Sequence, residues 1–509
     1  MALEIHEDAV NSQQAYNELI QRSRERWNIG SIRGLVNWDQ QVNMPPKGVA
    51  HRAEMLSYLA QEMHRKSTDP HVGELLAAAE QGQWMLGQTA NLREWRREYD
   101  QATKLPVDLV RRRAELTAKA NAVWQEARAR NDFPMFAPYL GDLVALSRET
   151  ADHLGWQAER YDALLDQFEP DLTTAQCEIF FAGLRKSVVP LLERIVASPV
   201  KANRELFRGA NFPEQGQRDL GIAMTRALGF DYEAGRLDVS THPFTNGFCT
   251  GDVRLTTRYD SLWPFQSLLG TIHEAGHGMY DQGLAPEHEG TPLGDSVSLG
   301  IHESQSRFFE NTIGRSQAFW LYWFPRFRQT FLGIVDHVGF DDLYLLLNDV
   351  RPTLIRVEAD EVTYNLHIMA RFEIERDLFR GDIQPADLPA VWNAKYRTYL
   401  GITPPTDREG VLQDIHWSWG YFGYFPTYAL GTVYAAQLEA ALRRDVPDLD
   451  AQMVEGEFAA PLRWMHEHVY RLGRLYRPAD LIKHATGTPP SSDDYLSYLT
   501  RKYNVLYHL

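Results

Sequence analysis

Cysteine is almost missing from this chain: Cys177 and Cys249 are the only two in 509 residues. A disulfide framework is therefore excluded, and reduced thiols suit an intracellular protein. Positive charge is scarce as well, with 52 Lys and Arg against 68 Asp and Glu and a net charge of −16. Such a surface repels a nucleic-acid duplex or an anionic membrane, so neither is an expected partner. The basic clusters, REWRRE at 93–98 and Arg111-Arg112-Arg113, sit in Ala-, Glu- and Leu-rich sequence and read as solvated helix faces. Long apolar runs are lacking too, so no membrane span is expected. The opening residues, MALEIHEDAV, carry acidic side chains where a secretory signal needs a basic start and an apolar core, which points to the cytoplasm. Flexible linkers and fixed-period repeats are also missing. A single domain over 1–509 is expected.

What is present reads mainly as helix. Residues 1–234 carry amphipathic patterns at 12–28, 51–65, 71–95, 107–131, 137–166 and 173–196, the last opening on Thr173 or Thr174 as N-cap. Between 235 and 260 the texture changes to Thr, Val and Phe broken by Gly, Pro and Asn, predicting a small antiparallel sheet. Helical sequence resumes at Ser261 and continues to 509, with expected interruptions at PRFR (325–328), at 380–390 and at 401–410. The fold class is mainly α with one small sheet.

Within the second helical half stands TIHEAGHGMY, residues 271–280. On a helix His273 and His277 share a face, so both imidazoles can reach one metal, while Glu274 on the adjoining flank can reach a water instead. Gly276 is a poor helix former and predicts a close neighbour at that point. A catalytic zinc takes three protein ligands and keeps a fourth position for water. Positions 280 and 283 are Tyr and Gly, so the three-histidine arrangement HExxHxxGxxH is excluded. The third ligand should be a carboxylate from a following segment, among Glu287, Glu289, Asp295, Glu303 and Glu310. Glu287 and Glu289 fall in a Pro/Gly-rich loop. Glu303 lies two turns into a helix predicted to start at Asp295 or Ser296 and is preferred, with His302 as competitor and Arg307 placed to steady it.

HEAGH followed by IHESQSRFFEN resembles the thermostable, Taq-type zinc metallocarboxypeptidases. The similarity extends to HPF at 242–244, DVRLT at 252–256, IRVEAD at 355–360, GVLQDIHW at 410–417 and YDALLDQFEPDLT at 161–173, all in the family's order. The resemblance implies a mainly α-helical fold with a long cleft, like neurolysin and the angiotensin-converting enzymes. It implies a homodimer, one zinc per subunit that cobalt can replace, and release of single residues from peptides with a free C-terminal carboxylate, with broad specificity.

Such an enzyme needs a cation for the substrate's carboxylate, and an arginine fork suits it. Arg356 is the first choice and Arg254 the second, the structural alternative for Arg356 being a pair with Asp360 on its own helix. Oxyanion donors are expected from His416 and from a tyrosine of WSWGYFGYFPTY, with Tyr428 favoured over Tyr424 by the family pattern. His242 is a candidate substrate contact or a brace of the cleft wall. The expected catalytic set is Glu274, His416 and Tyr428; the metal set is His273, His277 and Glu303. A zinc oligopeptidase or dipeptidyl carboxypeptidase on the same fold is the nearest rival, and a helical scaffold with a structural metal is a more distant one.

Overall fold

Helix dominates because apolar residues recur at three- and four-residue steps along nearly the whole chain. The computed structural model describes residues 2–509, and side chains from residue 11 onward. It opens with the long helix α1 (Ala2–Val42) and continues through helical hairpins. Two expected helices are each divided. The stretch 71–95 breaks into Pro70–Ala79 and Leu86–Lys104, where the Trp84 indole donates to the carbonyl of Ala79 at 2.7 Å and closes the first helix. The stretch 137–166 ends one helix at Leu154, because Gly155 turns the chain at φ 92°, and resumes as the short α2 (Arg160–Leu165). Conversely, PRFR does not interrupt: the helix Gln317–Thr330 runs through Pro325, held by buried Trp320, Trp323 and Phe327. One missing N–H is tolerated where packing is this dense.

The sheet holds β1 (Gly235–Val239), β2 (Thr245–Cys249) and β3 (Asp252–Thr257) in the order β1-β3-β2. It is mixed rather than purely antiparallel: β2 and β3 form a hairpin, whereas β1 runs parallel to β3. The five-residue crossover between β1 and β2 sets this topology. The Ser240 hydroxyl donates to the carbonyl of His242, and the backbone N–H of Phe244 donates to Thr256 Oγ1, which carries the chain over β3. Val253, Leu255 and Thr257 face the following helix α3 (Pro264–Gly283), and the alternate face of β3 meets α1.

Beyond α3 come α4 (Leu299–Arg307), α5 (Tyr364–Arg380), α6 (Phe425–Asp445) and, last, α7 (Asp493–Tyr507). One core joins helices from 120–195 to α5, α6 and α7; a second surrounds α3. Helix α6 serves both: Phe425, Ala429, Val433 and Ala436 enter the first core, and Leu430, Tyr434, Leu438 and Ala441 the second. These are two stripes at four- and three-residue steps on one helix, which is therefore buried on both faces. The first core draws on residues from both helical halves, before and after residue 235. The basic clusters singled out in the sequence lie in surface ion pairs, Arg96 with Glu80 and Arg112 with Asp108 and Glu149. Among the described residues, no helix is long and apolar enough to cross a membrane.

Candidate metal centre and active site

Helix α3 starts with Pro264 after Trp263, without a side-chain cap and three residues later than the helical sequence predicted at Ser261. Its buried stripe, Leu268, Leu269, Ile272, Ala275 and Met279, locks the rotation of the helix and so aims His273 and His277 at α4. Helix α4 is capped by Ser298, whose hydroxyl accepts the N–H of Ile301, two or three residues later than predicted. Gly276 explains how closely the two helices approach. A Cβ there would lie 2.7 Å from the carbonyl oxygen of Gln305 and from Cα of Ser306. From the other side Gly431 of α6 admits Glu303, which a Cβ would meet at 2.5 Å.

This packing brings His273, His277 and Glu303 together, their ligand atoms all within 4.8 Å of one another. Glu303 Oε2 lies 3.4 Å from His277 Nε2 and 3.8 Å from His273 Nε2. Zinc–nitrogen and zinc–oxygen bonds of about 2.0–2.2 Å in a tetrahedron put neighbouring ligand atoms about 3.3 Å apart, so the set suits a small divalent ion. The outer nitrogens agree. His273 Nδ1 is 2.8 Å from Glu310 Oε2, and His277 Nδ1 is 2.5 Å from His302 Nδ1, whose Nε2 is 3.0 Å from Asp281 Oδ1. With His302 donating from Nε2 to Asp281, its Nδ1 accepts the Nδ1–H of His277, and the Nε2 lone pair of His277 is left free. His273 donates to Glu310 in the same sense. Both tautomers are those a metal ligand needs. Glu303 also accepts from Arg307 Nε at 2.7 Å. Burial would raise its pKa, but the Arg307 guanidinium holds the carboxyl well below the usual range, so it is ionised.

Glu310 and His302, both rivals of Glu303 in the sequence, thus stand behind the two histidines. Glu310 lies in a π-helical turn, Phe308–Ile313, that continues α4, and it is held by Arg307 and Arg315 at 3.3 Å each. The other three carboxylates weighed, Glu287, Glu289 and Asp295, are outside the metal group, Glu289 accepting from the backbone and hydroxyl of Thr250. Glu274 is buried on the sheet side, where the Thr245 hydroxyl lies 2.8 Å from both its backbone oxygen and Oε2.

A second group adjoins the first through Tyr364. The Arg307 guanidinium lies 4.1 Å above the Tyr364 ring, and the Tyr364 hydroxyl accepts from Arg356 at 3.2 Å. Arg356 is buried in a three-residue 3-10 turn and pairs with Asp414, with Nε at 3.0 Å and a terminal nitrogen at 2.9 Å. Its expected intrahelical pair with Asp360 does not form. Asp360 instead accepts from the backbone N–H groups of Val362 and Thr363, both at 2.9 Å, because this stretch is a turn and not a helix. Asp414 also binds the fully buried Arg371 at 2.6 Å. Two guanidinium groups against one carboxylate leave one uncompensated positive charge. His416 adds none: burial and the nearby Arg356 push its pKa down to about 3. Its Nε2 is 3.3 Å from the Tyr428 hydroxyl, and its Nδ1 has no hydrogen-bond partner among the described residues. Tyr424 packs beside both, with ring centroids 5.3 Å from His416 and 5.2 Å from Tyr428.

Two sequence candidates stand apart. Arg254 spends its fork on Asp252, at 2.8 and 2.9 Å, and lies between the rings of Trp38 and Phe248 on the β3 face turned away from α3. His242 is exposed in the crossover loop. Sequence reasoning missed Asp281, Asp414 as a bridge between two arginines, and Tyr364; only GVLQDIHW gave any sign of the second.

A helical body with two histidines one turn apart and a carboxylate from a neighbouring helix is the arrangement of a metallopeptidase. The profile of the "Carboxypeptidase Taq (M32) metallopeptidase" family matches residues 18–503, and the chain belongs to that family of metallocarboxypeptidases. It is 42% identical to thermostable carboxypeptidase 1 of Thermus thermophilus, across 97% of this chain and 99% of that one. With carboxypeptidase 1 of Bacillus subtilis it shares 39% over 93% and 95% of the two chains. The crystal structure of an M32 carboxypeptidase from Deinococcus radiodurans R1 superposes with a TM-score of 0.94 at 36% identity, covering 97% of this chain and all of the other.

Proposed function

We propose that this metallocarboxypeptidase holds zinc, replaceable by cobalt, on His273, His277 and Glu303, and removes single residues from peptides with a free C-terminal carboxylate. A metal held there lowers the pKa of a water and polarises the scissile carbonyl. Glu274 accepts the proton of the attacking water and delivers it to the departing amine. Thr245 fixes the carboxylate of Glu274 for that exchange. Arg356 binds the terminal carboxylate, so that the last peptide bond is the one presented. Three of its five N–H groups point to Asp414 and Tyr364, and two remain for a ligand. His416 and Tyr428 donate to the oxyanion, Tyr428 being preferred to Tyr424 for its contact with His416.

The observation that carries this reading is the uncompensated positive charge of Arg356, Arg371 and Asp414, joined through Tyr364 to the His–His–Glu group. Arg254 and His242 lack such a link and rank below Arg356 as substrate contacts. The homodimer implied by the family resemblance and the cytoplasmic location expected from the sequence belong to the same proposal, and sedimentation at working concentration checks the first. The main test follows one mixed-sequence peptide, as free acid and as amide, by mass spectrometry with zinc-loaded and chelated enzyme. Stepwise loss of single residues from the free acid supports the reading. Internal cuts or release of dipeptides would assign an oligopeptidase or dipeptidyl carboxypeptidase, and no metal-dependent cleavage would leave a scaffold with a structural metal.

A further inference from the structure

The stretch YDALLDQFEPDLT takes no part in the chemistry above, yet it touches both walls of the site. On one side, Glu169 is fully buried, and its Oε2 accepts the backbone N–H of Gly300 at 2.9 Å in the first turn of α4, the helix that bears Glu303. Its Oε1 is 3.3 Å from the Tyr434 hydroxyl of α6, and the carbonyl of Phe168 accepts the N–H of Leu299 at 3.2 Å. A carboxylate here also complements the positive end of α4. On the other side, the Tyr161 hydroxyl donates to Glu375 Oε2 at 2.6 Å. Glu375 of α5 accepts as well from the indole of Trp417, next to His416, at 2.7 Å and from the N–H of Gly423, next to Tyr424, at 2.8 Å. Gly423 has φ 86°, and a Cβ on it would lie 2.7 Å from the carbonyl carbon of Leu164, so the aromatic loop rests directly on α2.

Neither Glu169 nor Glu375 has an ion-pair partner among the described residues, although both are buried. Burial pushes each carboxyl up to about 7. Carboxyl groups without a cation are costly inside a protein, and an apolar residue would fill the same space. What the two carboxyls share is one short segment, anchored in turn where Asp162 accepts the backbone N–H of Thr174 at 2.7 Å and Asp166 accepts from Arg97 at 2.7 Å.

We propose that residues Tyr161–Glu169 form a positioning brace for the reaction centre, in which Glu169 fixes the helix carrying Glu303 and Tyr161, through Glu375, fixes the loop carrying His416. The proposal rests on the reading of Glu303 as a metal ligand and of His416 as an oxyanion donor. The two ends of the brace act on different quantities. Loss of the Glu169 contact moves a ligand and changes metal affinity; loss of the Tyr161 contact moves the oxyanion donors and changes kcat alone.

The variants are Glu169→Asp, Glu169→Gln and Tyr161→Phe, with Glu303→Ala as reference. Aspartate keeps the charge but withdraws the acceptor from Gly300 by one methylene. Glutamine keeps the reach and an acceptor for Gly300, and its amide can donate to the Tyr434 hydroxyl oxygen in place of the bond that Tyr434 donates to Glu169. Cobalt is the probe, read by its visible d–d absorption and by competition with a chelator. Glu169→Asp should change the absorption and weaken cobalt binding by about 10- to 100-fold. Glu169→Gln should restore both. Tyr161→Phe should leave the spectrum and affinity as in wild type while kcat falls about tenfold with KM unchanged. The brace is overturned if folded Glu169→Asp binds cobalt like wild type, or if Tyr161→Phe keeps full kcat. A Glu303→Ala protein that retains the wild-type cobalt spectrum would instead refute the ligand assignment on which the brace depends.

Discussion

Replacing Arg356 by alanine tests the proposed terminal-carboxylate clamp separately from everything else in the site. The change removes one of two guanidinium groups facing Asp414, so the local charge falls from one positive to zero, with Arg371 still pairing the aspartate. The substrate carboxylate then meets no net attraction and no fork. Loss of a desolvated, hydrogen-bonded charge pair costs about 2–5 kcal/mol, equivalent to about 30- to 5,000-fold in kcat/KM. An amidated peptide lacks that charge, so its already low rate should hardly move. A second consequence concerns His416. Burial is the larger cause of its depressed pKa, and Arg356 the next, so His416 becomes somewhat more basic in the variant yet remains neutral at working pH. The loss should therefore appear at every pH from 6 to 8 and not as a displaced pH profile. The assay is kcat/KM on one peptide in both terminal forms, with metal content and melting temperature measured in parallel. Arg356 also packs 5.0 Å from the Tyr428 ring, so some loss of stability is expected. Equal depression of both substrates would show that the arginine is only a structural partner of Asp414. A selective loss in Arg254→Ala would move the clamp to the sheet.

Glu274→Gln should keep full metal content, because the carboxylate lies outside the ligand group, and lose about 10²- to 10⁴-fold in kcat; normal turnover at full metal content rejects the base assignment. Glu303→Ala should lose metal and activity together, measured by metal analysis after dialysis against a chelator, and retained stoichiometric zinc would hand the third position to another group. Gly276→Ala pushes a methyl group against the Gln305 carbonyl, so a loss of about 1–3 kcal/mol in thermal or denaturant unfolding should accompany weaker metal binding. Unchanged stability would mean that α3 and α4 are less closely packed than described. For pH, Glu169 and Glu375 titrate near 7 in the folded protein against an ordinary value near 4.5. Between those values the folded state binds protons that the unfolded chain has released, so stability is full on the acid side and declines as pH rises through 7. Metal-free wild type should thus lose stability relative to Glu169→Gln between pH 5 and 8, and parallel urea curves would contradict the buried-carboxyl account.

The sequence alone determined whatever depends on local spacing. Four-residue spacing placed His273 and His277 on one helical face, and a single glycine, Gly276, announced the close neighbour that proves to be the backbone of α4. Helix content followed from periodicity, since a helix is closed by hydrogen bonds within one turn. The limits of that logic show at Pro325, where packing carried a helix through a residue that normally stops it, and in β1, whose parallel pairing depends on a crossover and not on composition. Only the tertiary structure decided which groups stand behind His273, His277 and their neighbours. Glu310 behind His273, Asp281 and His302 behind His277, and Arg371 with Arg356 on Asp414 are joined across 21 to 58 residues of chain. Nothing in local sequence encodes such a pairing. It arises because buried polar groups must find partners, and the partners available are set by how α3, α4, α5 and α6 pack.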